Sequence, residues 1–130
     1  MVGSDGERML GITLPHVQAW NAWFAWFDNQ VDRYRALRDR IDAACAAAGR
    51  DPAAVERTAA LFVAFPDAVG RSMGDRTAPE TRPLPSDPER LAAALREFAA
   101  EGVGHVQLVL DPISASSIAR LEPVLALLDA

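Results

Sequence analysis

A short glycine-containing turn near the start of the chain is a candidate site for a phosphate group. Residues 3–6 read Gly-Ser-Asp-Gly and precede a helical pattern that begins at Glu7. Glycines let a backbone approach a phosphate closely, N–H groups at a helix start attract anions, and arginine donates charged hydrogen bonds. The alternative is an ordinary flexible loop, because Asp5 and Glu7 both repel phosphate. The candidate ligands in this stretch are Gly3, Ser4, Gly6 and Arg8.

Five aromatic residues are crowded around the end of a predicted strand. Barrel enzymes place their sites at the carboxyl ends of strands, so these rings are positioned to line a cofactor or an apolar substrate. The favoured alternative is that they pack in the core or against a partner. Asn21 lies among them at the predicted strand end and is the best single polar candidate for a site. The aromatic residues are Trp20, Trp23, Phe24, Trp26 and Phe27.

The other reactive side chains predict neither a metal centre nor a nucleophile. His16 and His105 have no Cys, Asp or Glu at metal-ligand spacing, and each is expected to be structural. Cys45 lies between alanines and is expected to be a small buried hydrophobe. Asp111 follows the last predicted strand and is expected to cap Ser114 or the last helix rather than to act at the mouth of a site. No catalytic residue is therefore assigned from residue types.

Composition and charge exclude several classes of function. The 130 residues carry 13 basic and 18 acidic side chains, a formal net charge of −5, with no basic run. Binding to nucleic acid or to an anionic membrane depends on clustered basic residues, so neither is expected. The single cysteine excludes an internal disulfide. The first residues lack the pattern of a signal peptide, and no apolar stretch reaches the roughly 20 residues of a membrane span. A cytoplasmic protein is expected.

Strands and helices alternate along the sequence. Apolar residues three and four positions apart predict a long helix, and continuous apolar runs predict buried strands. Pro15 predicts that the first helix kinks or stops near Leu14. Asp87 as a cap, with Pro88 at the first helical position, predicts where the third helix starts. This alternation predicts parallel βαβ units with right-handed crossovers. Helices are predicted over 7–16, 30–48, 88–101 and 118–128, with Pro123 a local irregularity in the last, and strands over 17–23, 58–65 and 105–110.

Residues 66–85 have a different composition from the rest of the chain. They contain four prolines and two glycines and show no apolar period. This predicts a long surface loop, and loops of this length are usually functional lids or disordered segments. The chain is therefore predicted to form a single domain over 1–130 with a long loop at 66–85.

Four short motifs, taken in order, resemble the C-terminal portion of a bacterial luciferase-like monooxygenase. Residues 3–10 resemble a glycine-rich turn followed by Arg-Met/Thr-Leu, and residues 19–21 resemble an Ala-Asp-x-Trp-Asn strand. Residues 43–52 resemble a helix ending in Cys-x-x-x-Gly-Arg-Asp-Pro, and residues 102–108 resemble a last strand, Gly-Val-Asp-x-Val-x-Leu. The chain departs from the pattern at Pro15, Gln18 and Gly104. The resemblance implies an α/β fold: a partial TIM barrel made of the last three or so βα units.

The resemblance also implies a cofactor and a function. Such enzymes are oxidoreductases that use reduced FMN or a deazaflavin coenzyme on a small-molecule substrate. The cofactor is then expected to contact Gly3, Ser4, Gly6, Arg8 and Asn21. A full barrel needs roughly 200 to 250 residues, so the chain is expected to be a truncated fragment with an incomplete active site. The alternatives are a non-catalytic barrel remnant and a half-barrel subunit that pairs with itself or with a complementary half.

Overall fold

The computed structural model describes residues 1–70, 72–73, 76–77 and 81–130. Its helices are α1 (Glu7–Thr13), α2 (Val31–Ala47), α3 (Pro88–Ala100), α4 (Ala115–Ala119) and α5 (Glu122–Asp129). Its strands are β1 (Ala19–Trp23), β2 (Glu56–Ala64), β3 (Ser72–Met73), β4 (Arg76–Thr77) and β5 (Val103–Asp111). A 3₁₀ turn follows β1 at Phe24–Trp26, and another precedes β2 at Pro52–Ala54.

The central sheet is parallel, with strand order β1-β2-β5. The connections run through α2 and then α3, so the chain steps across the sheet in one direction. Right-handed crossovers taken in one direction place both helices on the same face of the sheet. Val2 adds a parallel bridge to Trp20 on the other edge of β1. The second face of the sheet, the open face, carries neither of these helices and corresponds to the interior side of a β/α barrel. Thr58 and Phe62 of β2 are nevertheless buried on it.

The core lies between the sheet and the helices. Trp20 and Leu61 on the strands are fully buried, and so are Tyr34, Ile41 and Cys45 on α2. The buried residues of α2 follow the spacing of three and four that predicts this helix from the sequence. The prediction that Cys45 is a small buried hydrophobe is confirmed, because none of its surface is exposed.

Three aromatic rings join α2, α3 and the segment after β1. Phe27, Tyr34 and Phe98 meet edge to face, with ring centroids 5.5, 5.8 and 5.7 Å apart. Each such contact adds about 0.5–1.5 kcal/mol beyond the burial of apolar area. Because Phe27 directly follows the 3₁₀ turn, the cluster fixes the chain where it leaves β1.

Helix boundaries lie where the residue types predict them. α1 ends before Pro15, with Leu14 as its C-cap, since proline cannot continue the helix. The Asp87 carboxylate accepts a hydrogen bond from the Arg90 N–H at 3.0 Å and caps α3. Pro88 occupies the first position of that helix, where the missing N–H removes no hydrogen bond. Both predicted boundaries are confirmed.

The last helical segment differs from the prediction of one helix over 118–128. The chain forms two helices there, α4 and α5. The Ser114 hydroxyl begins α4 by accepting a hydrogen bond from the Ser117 N–H at 3.1 Å. Pro123 lies in the first turn of α5, where a proline is well tolerated. The proline therefore begins a helix and does not distort one.

The segment between β2 and α3 has structure that its composition does not predict. β3 and β4 pair as a short antiparallel hairpin. Leu84 is buried, donates its N–H to Phe62 O at 2.8 Å and forms a parallel bridge to Val63. β1 ends opposite Ala60, so the rest of this edge of β2 needs another partner, and Leu84 supplies it. Residues 71, 74, 75 and 78–80 of the predicted surface loop lie outside the described part of the chain.

Candidate functional site

The candidate site lies at the carboxyl ends of the parallel strands. Val2 donates its N–H to Ala19 O at 3.0 Å and accepts a hydrogen bond from the Asn21 N–H at 2.8 Å. Because Val2 runs parallel to β1, residues 3–6 leave the sheet at its carboxyl edge. Barrel enzymes hold their ligands at this edge.

Trp20 and Arg40 fix the glycine turn. The Trp20 indole N–H donates to Ser4 O at 2.7 Å, and the ring is fully buried. The Ser4 hydroxyl accepts a hydrogen bond from the Gly6 N–H at 3.3 Å. Arg40 on α2 donates to Asp5 O at 3.0 Å, and its guanidinium lies 3.8 Å from the Asp5 carboxylate. The turn is thus anchored to the core, and Arg40 offsets one of the two negative charges that oppose a phosphate.

The two glycines leave the backbone of the turn open. A Cβ at Gly3 would lie 3.8 Å from Asn21 O, and one at Gly6 would lie 3.9 Å from Ser4 Oγ. Both are ordinary contacts, so the fold of this chain does not require glycine at either position. Their missing side chains instead allow a ligand to approach the backbone. The backbone of the turn is therefore accessible at both glycines.

Asn21 occupies the middle of β1 and not the strand end that the sequence predicts. Its Oδ1 accepts a hydrogen bond from the Thr58 hydroxyl at 2.7 Å. Within the described residues its amide NH₂ donates to no group. Side chains alternate between the two faces of a strand, and the neighbouring Trp20 faces the helices, so Asn21 lies on the open face. His105, in register with Thr58, continues this polar row.

Arg8 is separated from the other predicted ligands. It lies two residues before the buried Leu10, about 200° around the helix, and so on the outer side of α1. Its side chain is exposed and forms no ion pair within the ranges that the structure describes. The structure therefore brings the turn at 3–6 next to Asn21 and leaves Arg8 apart from them.

The aromatic residues divide into a buried group and an accessible group. Trp20, Phe24 and Phe27 have at most 1% of their surfaces exposed and belong to the core. Trp23 is half-buried, with its ring centroid 4.5 Å from that of Phe24, and Trp26 is 36% exposed. Packing is thus the role of three of the five rings. Trp23, two residues after Asn21 on the same face, is the ring that can line a ligand.

Asn29 is a central residue that sequence patterns do not identify. It is buried, and its backbone has a φ of +57°. Its side-chain amide accepts a hydrogen bond from the Phe62 N–H at 3.1 Å and donates to Phe62 O at 2.7 Å and to Arg82 O at 3.1 Å. Asn29 therefore pairs with β2 as a strand residue would, just beyond the end of β1. The one sequence signal is the Asp28-Asn29 pair, since these two residue types tolerate positive φ.

Asp111 anchors the chain that follows β2. Its carboxylate accepts hydrogen bonds from the N–H groups of Val69 at 3.1 Å and Gly70 at 3.0 Å. The peptide bond from Asp111 to Pro112 is cis. The expectation that Asp111 caps Ser114 or the last helix is wrong, because Ser114 itself caps α4 and the Asp111 carboxylate faces the segment after β2.

The two histidines and the other potential ligands form no metal centre in the part of the chain that the structure describes. His16 and His105 are both exposed, so neither is a core residue. No helix among the described residues has the length and apolar character to span a membrane.

An ion-pair network lies at the amino-terminal ends of the strands, opposite the candidate site. Glu101 accepts hydrogen bonds from Arg35 and Arg38, each with a 2.5 Å contact, and Arg57 pairs with Asp42. The hydrogen bond from Arg35, supported by that from Arg38, lowers the pKa of the Glu101 carboxyl. In barrels this amino-terminal face serves stability, so the network stabilises the fold and does not belong to the site.

Comparisons with known proteins bear on the fold. No protein-family model matches the chain, and no curated protein matches its sequence. Two solved structures superpose well. An F420-dependent secondary alcohol dehydrogenase in complex with an F420-acetone adduct gives a TM-score of 0.66 at 13% identity, over 97% of this chain and 47% of that chain. A coenzyme F420-dependent tetrahydromethanopterin reductase from Methanopyrus kandleri gives 0.60 at 15% identity, over 94% of this chain and 47% of that chain.

These superpositions confirm the predicted fold class. The chain is an α/β protein with a parallel sheet that matches part of a TIM barrel. It spans about half the length of both solved structures.

Proposed function

We propose that the protein is a cytoplasmic oxidoreductase of the luciferase-like class that binds a deazaflavin coenzyme of the F420 type. The observation that carries the proposal is the anchored glycine turn beside Asn21, at the carboxyl edge of a sheet whose fold matches two proteins named as F420-dependent. A deazaflavin is preferred to FMN for the same reason. When bound, the deazaflavin supplies the redox chemistry, and protein groups bind and orient it.

The residues of the chain have distinct parts in this proposal. The open backbone at Gly3 and Gly6 receives a phosphate of the coenzyme, and the bond from Trp20 to Ser4 keeps the turn in place. The free amide NH₂ of Asn21 donates a hydrogen bond to a polar atom of the coenzyme on the open sheet face. Arg8 is left out of the proposed site because it lies on the outer side of α1.

Titration with F420 and, separately, with FMN tests the proposal. F420 should bind saturably, and FMN should bind at least about tenfold more weakly, a difference of about 1.4 kcal/mol. A single copy should bind no tighter than about 1 mM, because half a barrel supplies only part of a pocket. The proposal is wrong if neither compound binds, or if FMN binds more tightly than F420.

Substitution of Asn21 tests its role within that site. Asn21→Ala should weaken F420 binding by roughly twofold to tenfold, since one hydrogen bond is worth about 0.5–1.5 kcal/mol. Gln18→Ala is the matched control. Gln18 carries the same amide at an exposed position just before β1, at the amino-terminal ends of the strands and away from the candidate site. Equal effects of the two substitutions would remove Asn21 from the site.

A second candidate function is that of a half-barrel interaction subunit without catalysis. It is favoured by the long edge of β5 and by the exposed apolar side chains on the outermost helices. This alternative predicts association without F420 binding, so the titration separates the two functions.

A further inference from the structure

Both lateral ends of the half-barrel carry apolar side chains on exposed helix surface. At one end, Met9 and Ile12 of α1 are 48% and 58% exposed. At the other end, Leu125 and Leu128 of α5 are 59% and 36% exposed. Apolar side chains grouped on one surface of a helix mark an interaction site more often than single exposed ones do.

These side chains point away from the rest of their own molecule. On α1, Gly11 lines the groove against α2, and Met9 lies about 160° from it around the helix. On α5, Pro123 lines the groove against α3, and Leu125 lies about 160° from it around the helix. Each apolar surface therefore faces outward along the ring of helices, in opposite directions at the two ends.

The two outer edges of the sheet lie at the same two ends of the molecule as these helix surfaces. β5 pairs with β2 along one edge, and no described strand lies along its other edge over 103–109. At the far end, Val2 pairs with β1 along one edge, and no strand among the described residues lies along the other. Strand edges with unpaired N–H and C=O groups are templates for pairing with another chain.

The charges at the two ends are opposite in sign. Arg8 lies four residues before Ile12, and so on the same surface of α1. Glu122 and Asp129 lie three residues before and four residues after Leu125, and so border its surface on α5. None of these three charged groups forms an ion pair within the described residues. The α1 surface is thus apolar with a positive charge, and the α5 surface is apolar with negative charges.

We propose that two copies of this chain close one (β/α)₈ barrel by a two-fold rotation about the barrel axis. Counting Val2, each copy contributes four parallel positions in the order Val2-β1-β2-β5, and two copies complete the eight strands of a barrel. In this arrangement β5 of each copy pairs with the Val2 edge of the other. Since each helix lies outside the strand it follows, α5 of each copy then packs on α1 of the other.

A second copy is the occupant that satisfies all of these features together. Its α1 presents the positively charged apolar surface that the α5 surface complements, and its Val2 edge runs parallel to β5. Closure in a ring uses every edge and stops further growth, unlike head-to-tail association that does not close. This inference rests on the fold and does not depend on the cofactor proposal.

The oligomeric state tests the proposal directly. Light scattering during size-exclusion chromatography should give a discrete particle of twice the 14.0 kDa chain mass. Leu125→Glu should raise the dissociation constant on the order of tenfold at each of the two contacts, hence roughly a hundredfold in total. Because Leu125 is exposed, the variant should keep the circular dichroism of the parent. A monomer at every concentration, or an assembly that grows without limit, overturns the proposal.

Charge reversal tests the pairing of α1 with α5. Arg8→Glu and Glu122→Arg should each weaken the dimer, and a chain that carries both changes should restore it, because opposite charges then meet again at both contacts. Arg90→Glu is the matched control, because Arg90 is an exposed arginine without an ion pair in the first turn of α3. A dimer that tolerates Arg8→Glu and Glu122→Arg as well as it tolerates Arg90→Glu contradicts the assignment of this interface.

Cross-linking tests which surfaces meet. In the proposed dimer α1 of one copy contacts α5 of the other, whereas in an alternative dimer one helix contacts the same helix of the other copy. Ile12→Cys chains mixed with Leu125→Cys chains should form covalent dimers with a short bis-maleimide, whereas neither variant should do so alone. The native Cys45 is buried and does not compete. Cross-linking of Leu125→Cys with itself overturns the proposal.

Discussion

Asn29 shows how one side chain can replace a missing piece of strand. Its amide forms three hydrogen bonds with the backbone of Phe62 and Arg82, at a place where β1 has already ended. Its positive φ is compatible with asparagine but unfavourable for most other residues. The residue therefore combines a conformational role and a hydrogen-bonding role, and two substitutions separate them.

Asn29→Gly should destabilise the fold by about 2–3 kcal/mol, since it keeps the backbone conformation but removes hydrogen bonds worth about 0.5–1.5 kcal/mol each. Asn29→Ala should cost about 1 kcal/mol more, because alanine is strained at positive φ. Urea denaturation measures both. Asp28→Gly is the control. Asp28 also has a positive φ, of 52°, but within the described part of the chain its side chain bonds to Gln30 and Arg33 alone, at the surface. A loss of stability in Asp28→Gly as large as that in Asn29→Gly would contradict this role.

Tyr34 carries a buried hydroxyl that has no hydrogen-bond partner among the described residues. Burial raises the pKa of Tyr34 to about 12 from an ordinary value of 10.0. In the unfolded chain the phenol ionises at the lower pKa, so stability is complete below pH 10.0 and is lost as the pH rises toward about 12.

Tyr34→Phe should remove the loss of stability at alkaline pH that is due to this group. At pH 7 the variant should be as stable as the parent or up to about 1 kcal/mol more stable, because an unpartnered buried hydroxyl is unfavourable. Thermal unfolding followed at pH 7 and above pH 10 measures both effects. Marked destabilisation at pH 7 would show that the hydroxyl has a bonded partner.

At the scale of elements, Glu101 connects α2 to the start of β5. It follows α3 and accepts hydrogen bonds from Arg35 and Arg38 on α2. Its pKa is lowered from 4.5 chiefly by the bond from Arg35. A carboxyl group with a lowered pKa stabilises the fold above its unfolded pKa, and this contribution is lost as the pH falls through the folded value.

Glu101→Gln should therefore lower the free energy of unfolding at pH 7. It should also weaken the dependence of that free energy on pH below 4.5, the ordinary pKa of the group. Chemical denaturation across the acid range measures the slope. Glu97→Gln, an exposed position on α3 without an ion pair in the described chain, is the matched control. Parallel profiles for the parent and Glu101→Gln would show that the ion pairs contribute nothing.

The elements that sequence reasoning identified are those with local signals. The stripe from Tyr34 to Cys45, the Asp87 cap and Pro15 all act within a few residues of themselves, so their spacing predicts helices directly. Asn29 bonds to a residue 33 positions away, and Leu84 joins β2 beyond the end of β1. No local pattern encodes those contacts. The division of the last helix at Pro123 is intermediate, since a proline signals either a distortion or a helix start.

The candidate site follows the same rule. The glycine turn is visible in the sequence because its residue types are unusual, whereas its supports are not. Trp20 and Arg40 reach Ser4 and Asp5 from β1 and α2, and such contacts depend on the packing of separate elements. Arg8 is adjacent to the turn along the chain but lies on the outer side of α1, because the position of a helical residue depends on its angle around the axis.

At the scale of the whole molecule, the two proposals make a joint prediction. If a second copy completes the barrel, each glycine turn gains the strand ends of the partner as the rest of its pocket. The apparent dissociation constant for F420 should then fall as the protein concentration rises through the dimer range. Over the same protein concentrations Leu125→Glu should bind F420 no tighter than about 1 mM, since its dimer forms only at a roughly hundredfold higher concentration. Titrations at two protein concentrations measure this. An affinity independent of concentration in a chain that does dimerise would separate assembly from cofactor binding.

The bond between Trp20 and Ser4 has an optical consequence. The three tryptophans of the chain lie within seven residues of one another, yet Trp20 is fully enclosed and bonded to the glycine turn, while Trp26 is 36% exposed. A soluble quencher such as iodide should reach Trp26 and the half-buried Trp23, and leave Trp20 emitting. The emission that survives the quencher then comes largely from an indole whose N–H is held by the turn itself. A shift in that emission on adding a phosphate compound would make the intrinsic fluorescence of the protein a direct reporter of the state of the turn.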